Sequence, residues 1–304
     1  MINRPVNYIF LEGPDLSGKT TFYEKLHNAS GYQWNIQDRS ALSMLVHAKL
    51  YNRDTFNCTE QLRYELNNLN NIMIIMLPEW NIIAKRFNLR GDPIQNITSL
   101  RKIYDLFTDA ANELQSYPNV IVLKQEVDDQ TVQYIKNHIT YYENASILDI
   151  KNNCMNACQT KENNECLGLN FTLFDPGTFE SIDEGDLLYD KEVDYYNDIV
   201  VEIKQKIQKE LAGNNKYKKK EDKFSRRFIY TSNTCISLAH FIYRNEGLDC
   251  KFFLRSSNVK DTLYYDLNFL NYLSKEVYNT LDIENKFCRM NFVINSGHII
   301  ETNI

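Results

Sequence analysis

Residues 12–21 read Glu-Gly-Pro-Asp-Leu-Ser-Gly-Lys-Thr-Thr, which sets Gly13, Gly18, Lys19 and Thr20 at the spacing of a phosphate-binding loop. Val6, Tyr8, Ile9, Phe10 and Leu11 run ahead of it as a buried strand, and Thr20 to His27 is helix-compatible. Both flanks are what such a loop requires. Glycines let successive backbone N–H groups point into one concavity, and the helix N-terminus that follows adds its positive dipole. Lys19 is placed to reach the β- and γ-phosphates, and Thr20 to put a hydroxyl on Mg²⁺. The expected ligand is a nucleoside triphosphate, held by Gly13, Pro14, Ser17, Gly18, Lys19, Thr20 and Thr21.

Outward from the loop, apolar runs alternate with amphipathic segments. Tyr32, Trp34 and Ile36 form a weak run ending at Asp38-Arg39-Ser40; Ile72 to Leu77, closed by Pro78, and Asn119 to Leu123 are stronger. A helix is predicted from about Ser99 to Leu114, with Leu100, Ile103, Leu106, Phe107, Ala110, Ala111 and Leu114 on one face. Another around Thr131 to Ile139 closes the unit near residue 140. Short continuous apolar strands separated by helices predict an α/β fold with a parallel sheet covered on both faces.

The second half differs. Residues 145–190 are rich in Asn, Asp and Glu, with weak periodicity. A helix from about Tyr195 to Leu211 sets Tyr196, Ile199, Val200, Ile203, Ile207 and Leu211 on one face, with Gly213 suited to its C-cap. The charge run Lys216 to Lys223 reads as a solvated loop. Arg227 to Thr231, Leu248 to Leu254 and Met290 to Ile294 read as strands around a helix from Thr262 to Tyr278. The expected organisation is a nucleotide-binding domain over 1–140 and an α+β domain over 141–304, with no internal repeat.

With 7 cysteines, an odd count, a disulfide framework is disfavoured and the cytoplasm is the expected compartment. Cys154, Cys158 and Cys166 lack the spacing and the histidine partner of a zinc site. No apolar run reaches membrane-spanning length, and Met1-Ile-Asn-Arg-Pro is not a secretory leader. The net charge of −6 speaks against bulk attraction to a nucleic-acid backbone.

Two more constellations concern what is done with the triphosphate. Asp38-Arg39-Ser40 ends a predicted strand, where ligands bind in open α/β sheets. A carboxylate there can orient an acceptor oxygen or hydrated Mg²⁺, and the adjacent arginine can hold an acceptor phosphate. In Arg86-Phe-Asn-Leu-Arg90-Gly-Asp92, two arginines four apart share a helix face and could close over a transferring phosphoryl group.

Together, Glu12-Gly-Pro-Asp-Leu-Ser-Gly-Lys-Thr-Thr21, Asp38-Arg39-Ser40 and Arg86…Arg90-Gly-Asp92 resemble the thymidylate kinase and deoxynucleoside kinase family, especially its short phage forms, over about residues 5–125. The resemblance implies that Lys19 and Thr20 serve ATP and Mg²⁺ and that Asp15 faces the acceptor sugar. Arg39 would hold the acceptor, and Arg86 and Arg90 would be lid arginines. This unit is shorter than typical members of the family.

In the second half, Asn233-Thr-Cys-Ile-Ser-Leu-Ala-His240, Leu254-Arg-Ser-Ser-Asn258, Asp266 and Gly297-His-Ile-Ile300 follow Ser225-Arg-Arg227 at spacings that resemble the thymidylate synthase and deoxycytidylate hydroxymethylase superfamily. The resemblance makes Cys235 the nucleophile position and Arg255 with Ser256 the phosphate site. Asp266 takes the base-reading position and His298 a sugar contact, while Arg226 and Arg227 match a pair that reaches across a dimer interface. Thr234, Ile236, Asn258 and Ile300 depart from the family pattern, and its catalytic glutamate and folate-contacting tryptophans have no counterpart.

The leading expectation is an ATP- and Mg²⁺-dependent kinase of a pyrimidine deoxynucleotide, homodimeric through the second domain. The alternatives are a kinase of 5-hydroxymethylpyrimidine in DNA during phage base modification, a non-catalytic nucleotide sensor, and an active methyl- or hydroxymethyltransferase.

Overall fold

A computed structural model describes residues 2–161, 163–177, 193–213, 223–244, 247–284 and 286–300. Most of the Lys216 to Lys223 run lies outside them. The chain divides into two compact units, Val6–Glu143 and, with Met1–Pro5, Asn144–Ile304. The first residues of the chain thus belong with the last.

The Val6–Glu143 unit is α/β. β1 (Tyr8–Glu12), β2 (Ile36–Asp38), β3 (Asn71–Met76) and β4 (Val120–Leu123) form one sheet in the order β2-β1-β3-β4. Every pairing in it is parallel, with Ile9 opposite Ile36 and Ile72, and Ile74 opposite Ile121. All six residues of β3 are buried, which is why its sequence shows an unbroken apolar run rather than alternation. Its side chains divide by parity. Met73 and Ile75 join a cluster with α2 (Ala41–Leu50), α3 (Phe56–Asn67) and α5 (Ile97–Leu114). Ile72, Ile74 and Met76 join Ile9 and Leu11 in a second cluster with α1 (Lys19–Ser30) and α6 (Asp129–Glu143). Each fully buried Leu, Ile or Phe contributes about 1.5–3 kcal/mol.

The helices start where their caps allow. Gly18, at φ 100°, turns the chain from the loop into α1, and Gly31 ends that helix in the left-handed region. Ser40 caps α2 by accepting from Leu42 N, and Asn96 with Ser99 forms a capping box at α5. α4 (Trp80–Arg90) leaves β3 directly over the phosphate loop and presents Arg86 and Arg90.

The other unit is built on a six-stranded mixed sheet. β5 (Glu165–Asp175), β6 (Phe228–Thr231), β7 (Ile236–Arg244), β8 (Gly247–Leu254) and β10 (Phe287–His298) run in the order β5-β10-β8-β7-β6, and β9 (Ser257–Asn258) pairs with β10. Only the β10–β8 and β10–β9 pairings are parallel. Burial alternates along the strands. Phe171, Phe292, Phe252 and Phe241 are buried, whereas Thr172, Asn291, Lys251 and His240 are not. One face is therefore packed beneath α7 (Ile147–Gln159), α8 (Val193–Leu211) and α9 (Leu263–Thr280), which touch β5, β6, β8 and β10. Asn3 makes a bridge to Phe174 of β5, and Arg4 is fully buried.

Candidate active site

The phosphate loop is shaped by close approach. Gly13 has φ 132°, and a Cβ there would sit 2.4 Å from the Met76 carbonyl oxygen, so the end of β3 leaves no room for a side chain. Leu16 (φ 64°) and Gly18 (φ 100°) alternate with ordinary residues, a pattern that turns backbone N–H groups to one side. Lys19 starts α1, with Nζ donating to the carbonyls of Gly13 at 2.6 Å and Pro14 at 2.8 Å. Burial holds its pKa below the ordinary lysine value, with Asp15 the main opposing influence. Ser17 Oγ is buried without a hydrogen-bond partner among the described residues. An orphaned hydroxyl, a concave backbone and a lysine together suit a bound phosphate chain.

Around the loop, Asp15, Leu16, Gly18, Lys19, Thr20, Thr21, Asp38, Arg39, Arg86, Leu89, Arg90, Asp92 and Val127 line one cleft of about 450 Å³. Every residue singled out for the phosphoryl-transfer role is among them: Asp15, Lys19, Asp38, Arg39, Arg86 and Arg90. Gly13 and Pro14 contribute the carbonyls that hold Lys19, while Ser17 is enclosed behind the loop.

Arg39 Nη2 donates to Asp15 Oδ1 at 2.9 Å. Its backbone N–H completes the β1–β2 ladder on Leu11 O, and its φ of 83° is rare for a residue with a side chain. Arg86 reads the loop itself. Nη1 donates to Leu16 O at 2.8 Å, and Nη2 pairs with Glu126 at 2.7 Å in the β4–α6 connection. His47 on α2 also belongs to this electrostatic neighbourhood. Burial, and then Arg39, push its pKa below the usual histidine value.

Glu12 ends β1 and is fully buried. Its Oε1 accepts from Ser40 N at 2.5 Å, Ser40 Oγ at 2.7 Å and Ser43 N at 3.1 Å, and its Oε2 accepts from Ser43 Oγ at 2.5 Å. Burial raises its pKa against those lowering hydrogen bonds. The sequence marks Glu12 only as the first residue of the motif and does not mark Glu126 or His47 at all. A charged residue closing an apolar strand was the available signal for Glu12. The other two come from elsewhere in the chain and carry no local signal.

In the other unit, the Arg255 backbone N–H donates to Cys235 O at 2.8 Å. β9 sets Ser257 and Asn258 beside Gly297 and His298. Cys235, Arg255, Ser256 and His298 therefore gather at one end of the sheet, with Cys235 exposed. Asp266 is buried and accepts from Tyr196 Oη at 3.0 Å and Ser257 Oγ at 3.4 Å. Tyr195 Oη bonds to Thr234 Oγ1 at 2.5 Å and accepts from Ile236 N at 3.2 Å, bracketing Cys235. Arg226 and Arg227 are not in this group. They precede Phe228, which pairs with Phe241, so they lie at the other end of β6 from Cys235. Arg227 pairs with Glu210. Among the described residues no His, Cys, Asp and Glu cluster could hold a metal ion, and no helix is long and apolar enough to cross a membrane.

No protein-family model matches the chain, and no curated protein matches it. Among solved structures it is similar to deoxyadenosine kinase from M. mycoides with the product dCMP and a flexible dCDP bound. That similarity has 14% identity and a TM-score of 0.32, over 44% of this chain and 98% of that one.

Proposed function

We propose that this protein is an ATP- and Mg²⁺-dependent phosphotransferase whose acceptor is a pyrimidine deoxynucleotide. The observation that carries the reading is the single cleft in which Lys19, Asp15, Asp38, Arg39, Arg86 and Arg90 converge. Phosphoryl transfer is mainly positioning and neutralisation of spreading negative charge, and this cleft holds both kinds of group. The loop backbone and Lys19 cradle the triphosphate, and Arg86 covers it. Arg39, oriented by Asp15, faces the acceptor. Thr20 and Asp38 suit a divalent ion, which when bound neutralises charge between the phosphates.

The second unit is read as a pyrimidine-recognition and dimerisation module. The grouping of Cys235, Arg255, Ser256 and His298 supports the first role. The second draws on the sheet face opposite the helices, where Phe253 and Val293, 36% and 38% exposed, lie with Ile229, Leu238 and Ile242 beside the polar Lys251, Asn291 and His240. A second copy of this chain would cover that face.

The decisive experiment is transfer from radiolabelled ATP to a panel of deoxynucleosides, deoxynucleotides and hydroxymethylpyrimidine-containing DNA. Lys19→Ala is expected to abolish transfer and Cys235→Ala to leave it intact. Equal loss in both variants would overturn the division of labour, and label appearing only on DNA would replace the acceptor.

A further inference from the structure

We infer that Glu12 is a positioning residue, a buried carboxylate clamp that sets Asp38 and Arg39 against the phosphate loop; this deepens the kinase reading and rests on it. Glu12 immediately precedes Gly13, so its backbone is continuous with the loop. Its side chain crosses to the N-terminus of α2, where four donors from Ser40 and Ser43 converge on its two oxygens. A carboxylate at that helix end is favoured both by the unpaired N–H groups and by the dipole.

The geometry separates this role from proton transfer. Both oxygens are engaged, the side chain is fully enclosed, and Glu12 is absent from the cleft wall. A group that takes a proton from an acceptor must reach it within hydrogen-bond distance. What Glu12 does reach is Ser40, the residue after Arg39. Arg39 leaves β2 at φ 83°, and its side chain turns back to Asp15. One end of Arg39 is pinned by the Leu11 ladder bond and the other by the clamp on Ser40. Without the clamp, the left-handed conformation at Arg39 loses the contact that over-determines it.

The test compares wild type with Glu12→Gln and Ser43→Ala. An amide nitrogen facing these donors breaks part of the clamp without changing volume. The expected result for Glu12→Gln is an acceptor KM raised about tenfold or more, the size of one lost charge-assisted hydrogen bond. ATP affinity and the shape of the pH–rate profile stay as in wild type. Ser43→Ala moves KM the same way by less. Amide hydrogen exchange at Ser40 and Ser43 quickens in Glu12→Gln, a readout that needs no catalysis. A fall in kcat at constant KM, with loss of the acid limb of the pH profile, would overturn the inference, as would unchanged exchange at Ser40 and Ser43. Should Glu12→Gln fail to fold, Ser43→Ala carries both measurements. A wild-type protein that transfers no phosphate would sink the kinase reading and leave the exchange comparison to decide the clamp.

Discussion

Arg39 and Asp15 form an ion pair, Nη2 to Oδ1 at 2.9 Å, that ties the end of β2 to the first turn of the phosphate loop. With side chains 45% and 27% exposed, such a pair adds at most about 1 kcal/mol to stability. Its consequence is orientation, and the orientation is bought with an unfavourable backbone angle of 83° at Arg39. Stability and function should therefore separate here. Arg39→Gly is expected to be more stable than Arg39→Ala by about 0.5–1 kcal/mol, because only glycine adopts this angle without strain. Both variants lose acceptor binding. Urea midpoints and transfer assays on the pair check this, and an alanine variant as stable as the glycine one would refute the strain.

Gly13→Ala tests the close approach of the loop to β3. An added methyl group would meet a backbone oxygen at 2.4 Å in a conformation that side chains avoid. A loss of about 2–4 kcal/mol is expected, with ATP binding lost as well. Thermal unfolding with and without ATP measures both.

His138 lies between Tyr134 and Tyr142 on α6, and burial lowers its pKa below the usual 6.5. The folded state therefore disfavours the proton, and between the depressed value and 6.5 the unfolded chain binds more of it. The contribution of this residue is present above pH 6.5 and is lost as pH falls through the folded pKa. His138→Gln should flatten that part of the stability–pH curve, measured by denaturant midpoints between pH 5 and 7. A variant with an unchanged acid limb would count against it.

The cysteines should sort by burial. Cys235 is exposed and Cys58 half-exposed, whereas Cys154, Cys158, Cys166, Cys250 and Cys288 are buried. Burial pushes the Cys158 thiol up to about 12 and raises Cys154 as well, so neither offers thiolate near neutrality. Brief alkylation of the native protein, followed by peptide mass mapping, should label Cys235 first and Cys58 more slowly. Labelling of Cys154 or Cys158 before denaturation would contradict the packing.

The sequence disclosed what local physics determines. The loop was legible because Gly13, Gly18, Lys19 and Thr20 are neighbours in the chain. β3 was legible because a strand covered on both faces must be apolar throughout. α5 stood out because Leu100, Ile103, Phe107, Ala111 and Leu114 recur at helical spacing. α2 did not, since Ala-Leu-Ser-Met-Leu-Val-His-Ala-Lys-Leu is apolar nearly all round and shows little periodicity. β5 was hidden by Gly168, whose φ of 74° interrupts the alternation that resumes at Leu169. β7 was hidden by the register shift between Ile236 and Leu238. Beside the cleft, Glu126 carried no signal in the chain because its partner Arg86 lies 40 residues away, and His47 carried none because nothing in the apolar α2 sequence singles it out.

Arg4 is fully buried, and the Asn153 amide, oriented with its oxygen toward the guanidinium, accepts from both terminal nitrogens at 2.9 and 3.1 Å. With Asn3 bridged to Phe174, Arg4 commits the opening residues to the later unit. The Val6–Glu143 unit is thus an insert in the later one, entered at Val6 and left at Glu143. Those two residues meet, since the Glu143 carboxylate accepts a backbone hydrogen bond from Val6. A single cut near residue 143 would strip Arg4 and Asn3 from the later unit. Removing Val6–Glu143 takes two cuts, and only a join of residue 5 to residue 144 keeps Asn3 and Arg4 with the unit they pack in.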